Sequence, residues 1–172
     1  MFSFHNIDEI TENLYLGNLS AAENTQNLKE LGIKKVLSIL DEFAWPKYHE
    51  TLNIEHKKIS AQDMDDQNII KYFGECLKFI KGNDKTLVHC AVGASRSASI
   101  VIAYIMWTKK MPFKEAFEFV QKKRFIVYPN FGFREQLQLF EKELIEKNYD
   151  IDKIKFEEIK WEPKNYNELY SL

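Results

Sequence analysis

The stretch that most limits what this chain can fold into is residues 87–97, LVHCAVGASRS. Leu87 and Val88 suit the end of a buried strand, and Cys90 follows after His89. Ala91, Val92, Gly93, Ala94 and Ser95, mostly small, lead to Arg96 and Ser97. Beyond them Ile100, Val101, Ala103, Tyr104, Met106 and Trp107 recur at helical spacing. Strand, short loop and helix in that order predict successive backbone N–H groups turned inward and closed by a helix N-terminus, which is an anion site by geometry and dipole. A cysteine at the base of such a nest sits in the field of the amides, the helix and Arg96, and that field favours the thiolate. A lone cysteine at a strand end is more simply a structural residue. Here His89, Cys90, Gly93, Ser95, Arg96 and Ser97 all find a place in one element, and that decides for the reactive reading.

The pattern His89-Cys90, five residues, Arg96-Ser97 resembles the signature of the cysteine-based protein phosphatases. Its form, HCxxGxSRS, is similar to the dual-specificity branch in particular, with Ala94 standing where that branch often has a larger apolar residue. EITENLYLGNLSAA and LGIKKVLSIL resemble the opening of such domains, and the likeness covers about residues 7–147. It implies a phosphatase II-like α/β fold.

The periodicity of the chain agrees with that fold class. Residues 4–18 read as one or two short strands with a turn around Thr11–Asn13. Ser20 is the expected N-cap of a helix over Ala21–Leu31, stopped by Gly32. Ile33–Leu40 and Asn53–Ser60 read as strands, with a loop over 41–50 around Pro46. Asp65 or Asp66 is the expected cap of a helix whose stripe is Ile69, Ile70, Phe73, Cys76, Leu77 and Ile80. That stripe makes Cys76 a small core residue. After the signature helix, Pro112 opens another helix, and a last one spans roughly 132–147. The expectation is a central mixed, mostly parallel sheet flanked by helices, with a helical C-terminal half. Residues 1–148 form the catalytic domain in this reading. Residues 149–172, where Ile151, Ile154, Phe156, Ile159 and Trp161 alternate with charges, are an extension expected to pack on the domain or on a partner.

Composition narrows the function. With 172 residues and 45% hydrophobic content the chain can bury one ordinary core. A net charge of −2 argues against broad binding to nucleic acid or membrane. Two cysteines, Cys76 and Cys90, make no disulfide framework, and a reactive thiol needs a reducing compartment. No signal-peptide pattern or membrane-length apolar run is read, and Phe2 excludes the N-myristoylation motif. A soluble cytoplasmic or nuclear protein is expected, its oligomeric state unreadable. His49 and His56 are expected at the surface, without the clustering a metal site needs.

A phosphoester hydrolase needs a nucleophile, a clamp for the phosphoryl oxygens and a proton for the leaving oxygen. Cys90 is the nucleophile candidate. The amides of residues 91–96 and the planar fork of Arg96 suit the clamp, because a guanidinium bonds two oxygens at once. Ser97 is placed to donate to the sulfur, and His89 to fix the Cys90 backbone rather than to act as a base. The resemblance puts Asp63 at the place of the family's general acid, with Asp65 the competing assignment. It also gives Asn130, in PNFGF, the task of holding the phosphate loop, although a helix cap would explain that residue as well. Arg124 is read as one of several basic residues at a helix end, the alternative being a positive rim for a second anion. No metal or organic cofactor is required.

With these roles filled, the resemblance implies hydrolysis of phosphotyrosine and phosphoserine/threonine in a phosphoprotein substrate. The same chemistry on a phosphoinositide, an RNA 5′-phosphate or a glycan is the alternative. The neutral residues Ala91, Val92 and Ala94 weigh against it, since family members with highly anionic substrates tend to carry lysine in that loop. A phosphate-binding non-enzyme would be expected to lack Cys90 or Arg96. A rhodanese-like enzyme would share the loop but not Asp63 or PNFGF.

Overall fold

A computed structural model describes residues 6–42, 45–46 and 52–164. Five strands form its centre: β1 (Ile7–Thr11), β2 (Leu14–Gly17), β3 (Lys35–Leu40), β4 (Glu55–Ser60) and β5 (Thr86–His89). Their order across the sheet is β1-β2-β5-β3-β4. Only β1–β2 is antiparallel; β2–β5, β5–β3 and β3–β4 run parallel. The mixed, mostly parallel sheet expected from the sequence is therefore what forms. β5 lies in the middle because every residue of TLVH is buried, as a strand covered on both faces requires. Leu87 joins a small cluster with Tyr15, Ala22, Leu28, Ile33 and Val36, while Val88 belongs to the larger core on the other side.

Helices cover both faces. α1 (Leu19–Glu23) and α2 (Thr25–Leu31) precede β3. α3 (Phe73–Ile80), α4 (Arg96–Lys109), α5 (Phe113–Lys123) and α6 (Phe131–Glu146) make up the helical remainder. α4 is the hub. It is buried nearly all round, from Arg96 to Met106, and packs against α3, α5 and α6. Its first residue is the signature arginine, so the best-packed helix of the protein begins at the phosphate loop.

Several boundaries differ from the sequence expectation, each for a local reason. The cap of α1 is Asn18, whose Oδ1 accepts from the Ala21 N–H at 2.9 Å, and not Ser20. The single helix expected over 21–31 is broken at Asn24, whose Oδ1 accepts from the Asn27 N–H at 3.0 Å and starts α2. Asparagine competes for backbone donors in this way and so favours a new cap over helix continuation. Gly32 closes α2 at φ 73°, as expected. β4 starts at Glu55 rather than Asn53, which sits at φ 46°, outside strand geometry. Neither Asp65 nor Asp66 caps α3. A 3₁₀ turn over Ile70–Tyr72 comes first, and the N–H groups of Ile69 and Ile70 donate to Gln136 Oε1 of α6 at 2.7 and 2.9 Å. The loop over 41–50 is described only in part, and His49 lies outside the described residues.

Beyond α6, Ile151, Ile154 and Phe156 are buried in the main core. The Phe156 ring lies over Gly74 of α3 so closely that a Cβ there would stand 2.6 Å from it.

Candidate active site

The loop from Cys90 to Arg96 is held from outside by its carbonyls. Ala91 O accepts from the Leu19 N–H (3.2 Å) and Ala94 O from the Tyr128 N–H (2.8 Å). Val92 O and Gly93 O accept from Arg124 Nη2 (3.0 Å) and Nε (2.9 Å). Ser95 O accepts from the N–H and hydroxyl of Ser99 (2.9 and 2.8 Å). Peptide units are planar and trans, so carbonyls drawn outward turn the following N–H groups, Val92 through Arg96, inward. Gly93 makes the tightest approach: its φ is +76°, and a Cβ would lie 2.4 Å from Gly17 O.

Cys90 lies beneath this nest, buried, with Sγ accepting from the Gly93 N–H at 3.2 Å and the Ser97 hydroxyl at 3.1 Å. Both partners present a hydrogen to the sulfur. Arg96 is buried as well; Nη1 donates to Ala61 O at 3.2 Å and lies 3.6 Å from Asp41. Its Nε is buried with no partner among the described residues. A buried, unmatched guanidinium N–H is costly unless an anion arrives to accept from it.

Asp63 meets the loop from the side. Its Oδ1 accepts from the Ser95 hydroxyl at 2.6 Å and from Asn130 Nδ2 at 2.9 Å, leaving Oδ2 without a bonded donor among the described residues. Asn130 also donates its N–H to Ser95 Oγ (3.0 Å) and caps α6 through Oδ1, which accepts from the Phe133 N–H (2.9 Å). Loop holder and helix cap are thus one residue. Asp65 is turned to another use: its Oδ1 accepts from the Gly132 N–H at 3.3 Å at the start of α6. Cys76 is buried on α3, and burial pushes its thiol up.

Under the loop runs a chain of imidazoles. His89 Nδ1 lies 3.2 Å from Cys90 O, its Nε2 lies 2.5 Å from Ser38 Oγ, and His56 Nε2 lies 2.7 Å from the same hydroxyl. The consistent assignment has His56 donating to Ser38, Ser38 to His89, and His89 to the Cys90 carbonyl. Both rings are then neutral. Burial lowers His89 to about 4 against the hydrogen bond to Cys90, and burial with Lys58 lowers His56 to about 4. These folded values lie below the unfolded value, so between about pH 6.5 and 4 the unfolded chain binds protons that the folded chain refuses. Stability is therefore expected to fall as pH drops through that window, by up to about 1.4 kcal/mol per pH unit for the well-buried His89. Urea unfolding at pH 7, 6 and 5 measures this, and a His89→Gln variant with an unchanged slope would refute it.

Several residues here escaped the sequence reading. Arg124 is neither a plain helix-end cation nor a rim for a second anion. Its side chain is buried, its donors hold Val92 O and Gly93 O, and Nη1 lies 2.7 Å from Asp8 of β1. His56 is half-buried in the relay rather than at the surface. Gln136 is fully buried: Oε1 takes the Ile69 and Ile70 N–H groups and Nε2 donates to Gln67 O at 2.9 Å, which docks the Asp63 segment on α6. At Gly132 a Cβ would stand 1.9 Å from Asp65 O, so only glycine allows that approach. Burial of one Arg and one Gln among many charged residues has no local sequence signal. The PNFGF glycine was the one available hint.

Comparison with known proteins places this geometry. The family model described as "Dual specificity phosphatase, catalytic domain" matches residues 14–143. The chain is 37% identical over 142 residues to Dual specificity protein phosphatase 1B of Arabidopsis thaliana, covering 80% of this chain and 83% of that one. It is 39% identical over 139 residues to Dual specificity protein phosphatase MPK-4 of Drosophila melanogaster, a longer protein of which 36% is covered (78% of this chain). Among solved structures, the human tyrosine phosphatase-like serine/threonine/tyrosine-interacting protein matches with a TM-score of 0.76 and 35% identity, over 81% of this chain and 97% of that one. With matches of this extent, the chain belongs to the dual-specificity phosphatase family and is a protein phosphatase built on that family's catalytic domain.

Proposed function

We propose that the enzyme hydrolyses phosphotyrosine and phosphoserine/threonine esters through a cysteinyl-phosphate formed on Cys90. The observation that carries this is the sulfur with two donors and, among the described residues, no acceptor, set beneath amides that the outward-tied carbonyls aim inward. Cys90 attacks phosphorus, the P–O bond to the substrate breaks, and the leaving oxygen takes a proton from Asp63. The amides of the loop and the Arg96 fork hold the equatorial oxygens as charge builds. Asp63 then accepts a proton from water, which attacks phosphorus. The P–S bond breaks, and Ser97 donates a hydrogen bond to the departing thiolate as inorganic phosphate forms. His89 and Asn130 act by holding the loop. Every charge in this sequence has a protein partner, so the chemistry calls for no metal or organic cofactor.

The catalytic domain in this reading is residues 1–148, with 149–172 as an extension whose Phe156 lies against Gly74 of α3. Two free thiols suit a reducing compartment, and a signalling role in the cytoplasm follows from that and from a phosphoprotein substrate. Among the described residues no helix is long and apolar enough to cross a membrane.

Phosphotyrosine and phosphothreonine peptides are both expected to be hydrolysed in the presence of a chelator, with orthovanadate competing. Turnover confined to inositol phospholipids, or dependent on added metal, would overturn the reading.

A further inference from the structure

Several large apolar side chains stand exposed next in sequence to residues that hold the phosphate loop. Among the described residues, exposed large hydrophobics are Met64 (52%), Val92 (60%), Phe125 (54%), Tyr128 (59%), Phe131 (39%) and Ile145 (62%). All but Ile145 lie on three segments that meet at the phosphate loop. Val92 is part of that loop. Met64 sits between Asp63, bonded to Ser95, and Asp65, bonded to Gly132. Phe125 follows Arg124, which holds two loop carbonyls, and Phe131 follows Asn130, which holds Ser95 Oγ. Tyr128 ties its own N–H to Ala94 O. Its ring is fixed against Phe117 (6.4 Å between centroids) and beneath the Arg134 guanidinium (4.7 Å), which donates to its hydroxyl.

Resting on the phosphatase reading above, we propose that this collar selects phosphopeptides with large apolar side chains immediately flanking the phosphorylated residue. The occupant is set by geometry. Phosphate must reach a buried sulfur at the floor, so the residues on either side of the phosphorylated one lie over the collar. Charge around the collar is mixed, because Asp65 and Asp66 stand next to Met64, Lys122 and Lys123 stand next to Arg124 and Phe125, and Arg134 lies over the Tyr128 and Phe131 rings. Apolar area is what remains to discriminate, and the Tyr128 ring is already oriented without substrate, which lowers the cost of using it.

The test compares kcat/KM for phosphotyrosine and phosphothreonine peptides flanked by Leu or Phe, by Ser or Gly, and by Asp, with p-nitrophenyl phosphate as a substrate that has no flanks. Apolar flanks are expected to be preferred by about tenfold or more, the range one apolar contact can supply. Met64→Ser and Phe125→Ser should each reduce that preference by about threefold or more and leave p-nitrophenyl phosphate turnover unchanged. Equal rates for all flanks alongside brisk aryl phosphate hydrolysis would overturn the collar and spare the chemistry. Preference for a soluble phosphoinositide would overturn it too. So would specific activity that falls with enzyme concentration while a dimer appears in sedimentation, since a second copy would then be the occupant. Failure to hydrolyse p-nitrophenyl phosphate removes the underlying reading, and the collar with it.

Discussion

Cys90→Ser is expected to lower kcat on any phosphate ester by roughly 10⁴–10⁶-fold, the scale seen when a covalent nucleophile is removed. The size follows from what surrounds the atom. Sγ accepts from the Gly93 N–H and the Ser97 hydroxyl, and no group bonded to it can take a proton away. A serine hydroxyl would have to lose its proton to attack, and the nearest imidazole, on His89, is committed to the Cys90 carbonyl and to Ser38. The loop itself should survive, because its carbonyls are held by Leu19, Arg124, Tyr128 and Ser99 rather than by the sulfur. The variant should thus bind phosphopeptide with near-unchanged affinity in a titration while failing to turn it over. Turnover within tenfold of the unmodified enzyme would end the covalent mechanism.

Asp63→Ala is expected to separate substrates by leaving group. A phosphothreonine peptide expels an alkoxide that needs its proton, and kcat should fall by about 10²–10⁴-fold. p-Nitrophenyl phosphate expels a stable phenoxide and should fall far less. Because Asp63 Oδ1 also takes the Ser95 hydroxyl and Asn130 Nδ2, some loosening of the loop accompanies the change. Loosening alone would slow both substrates by the same factor, so the ratio between them isolates proton delivery. The parallel Asp65→Ala variant should show no such split, since that carboxylate binds the Gly132 N–H. A split at position 65 and none at 63 would reverse the assignment.

How much of this could be read from the sequence follows the range of the interactions. The phosphate loop was legible because strand, nest and helix N-terminus are consecutive, so one stretch contains the nucleophile, the amides and Arg96. The sheet was legible for the same reason: TLVH and KVLSIL are apolar runs that state their burial locally. Short-range competition was misread. Asn18 and Asn24 take the caps expected of Ser20 and of a continuous helix, because asparagine competes with the helix for nearby backbone donors and several polar neighbours offer the same bond. Long-range polar contacts were invisible. Gln136 serves N–H groups 66 and 67 positions away, and Arg124 serves carbonyls 31 and 32 positions away. Both look like ordinary polar residues of amphipathic helices until the fold brings their partners to them.

The Arg124 clamp links the two ends of the domain. The same guanidinium that fixes Val92 O and Gly93 O grips Asp8 on the outermost strand of the sheet. Edge strands present unpaired N–H and C=O groups and so are open to insult, above all to pairing with another chain. In this enzyme such an insult would be transmitted to the cradle over the sulfur, so catalysis is mechanically coupled to the integrity of its first strand and would fade before the remaining sheet came apart.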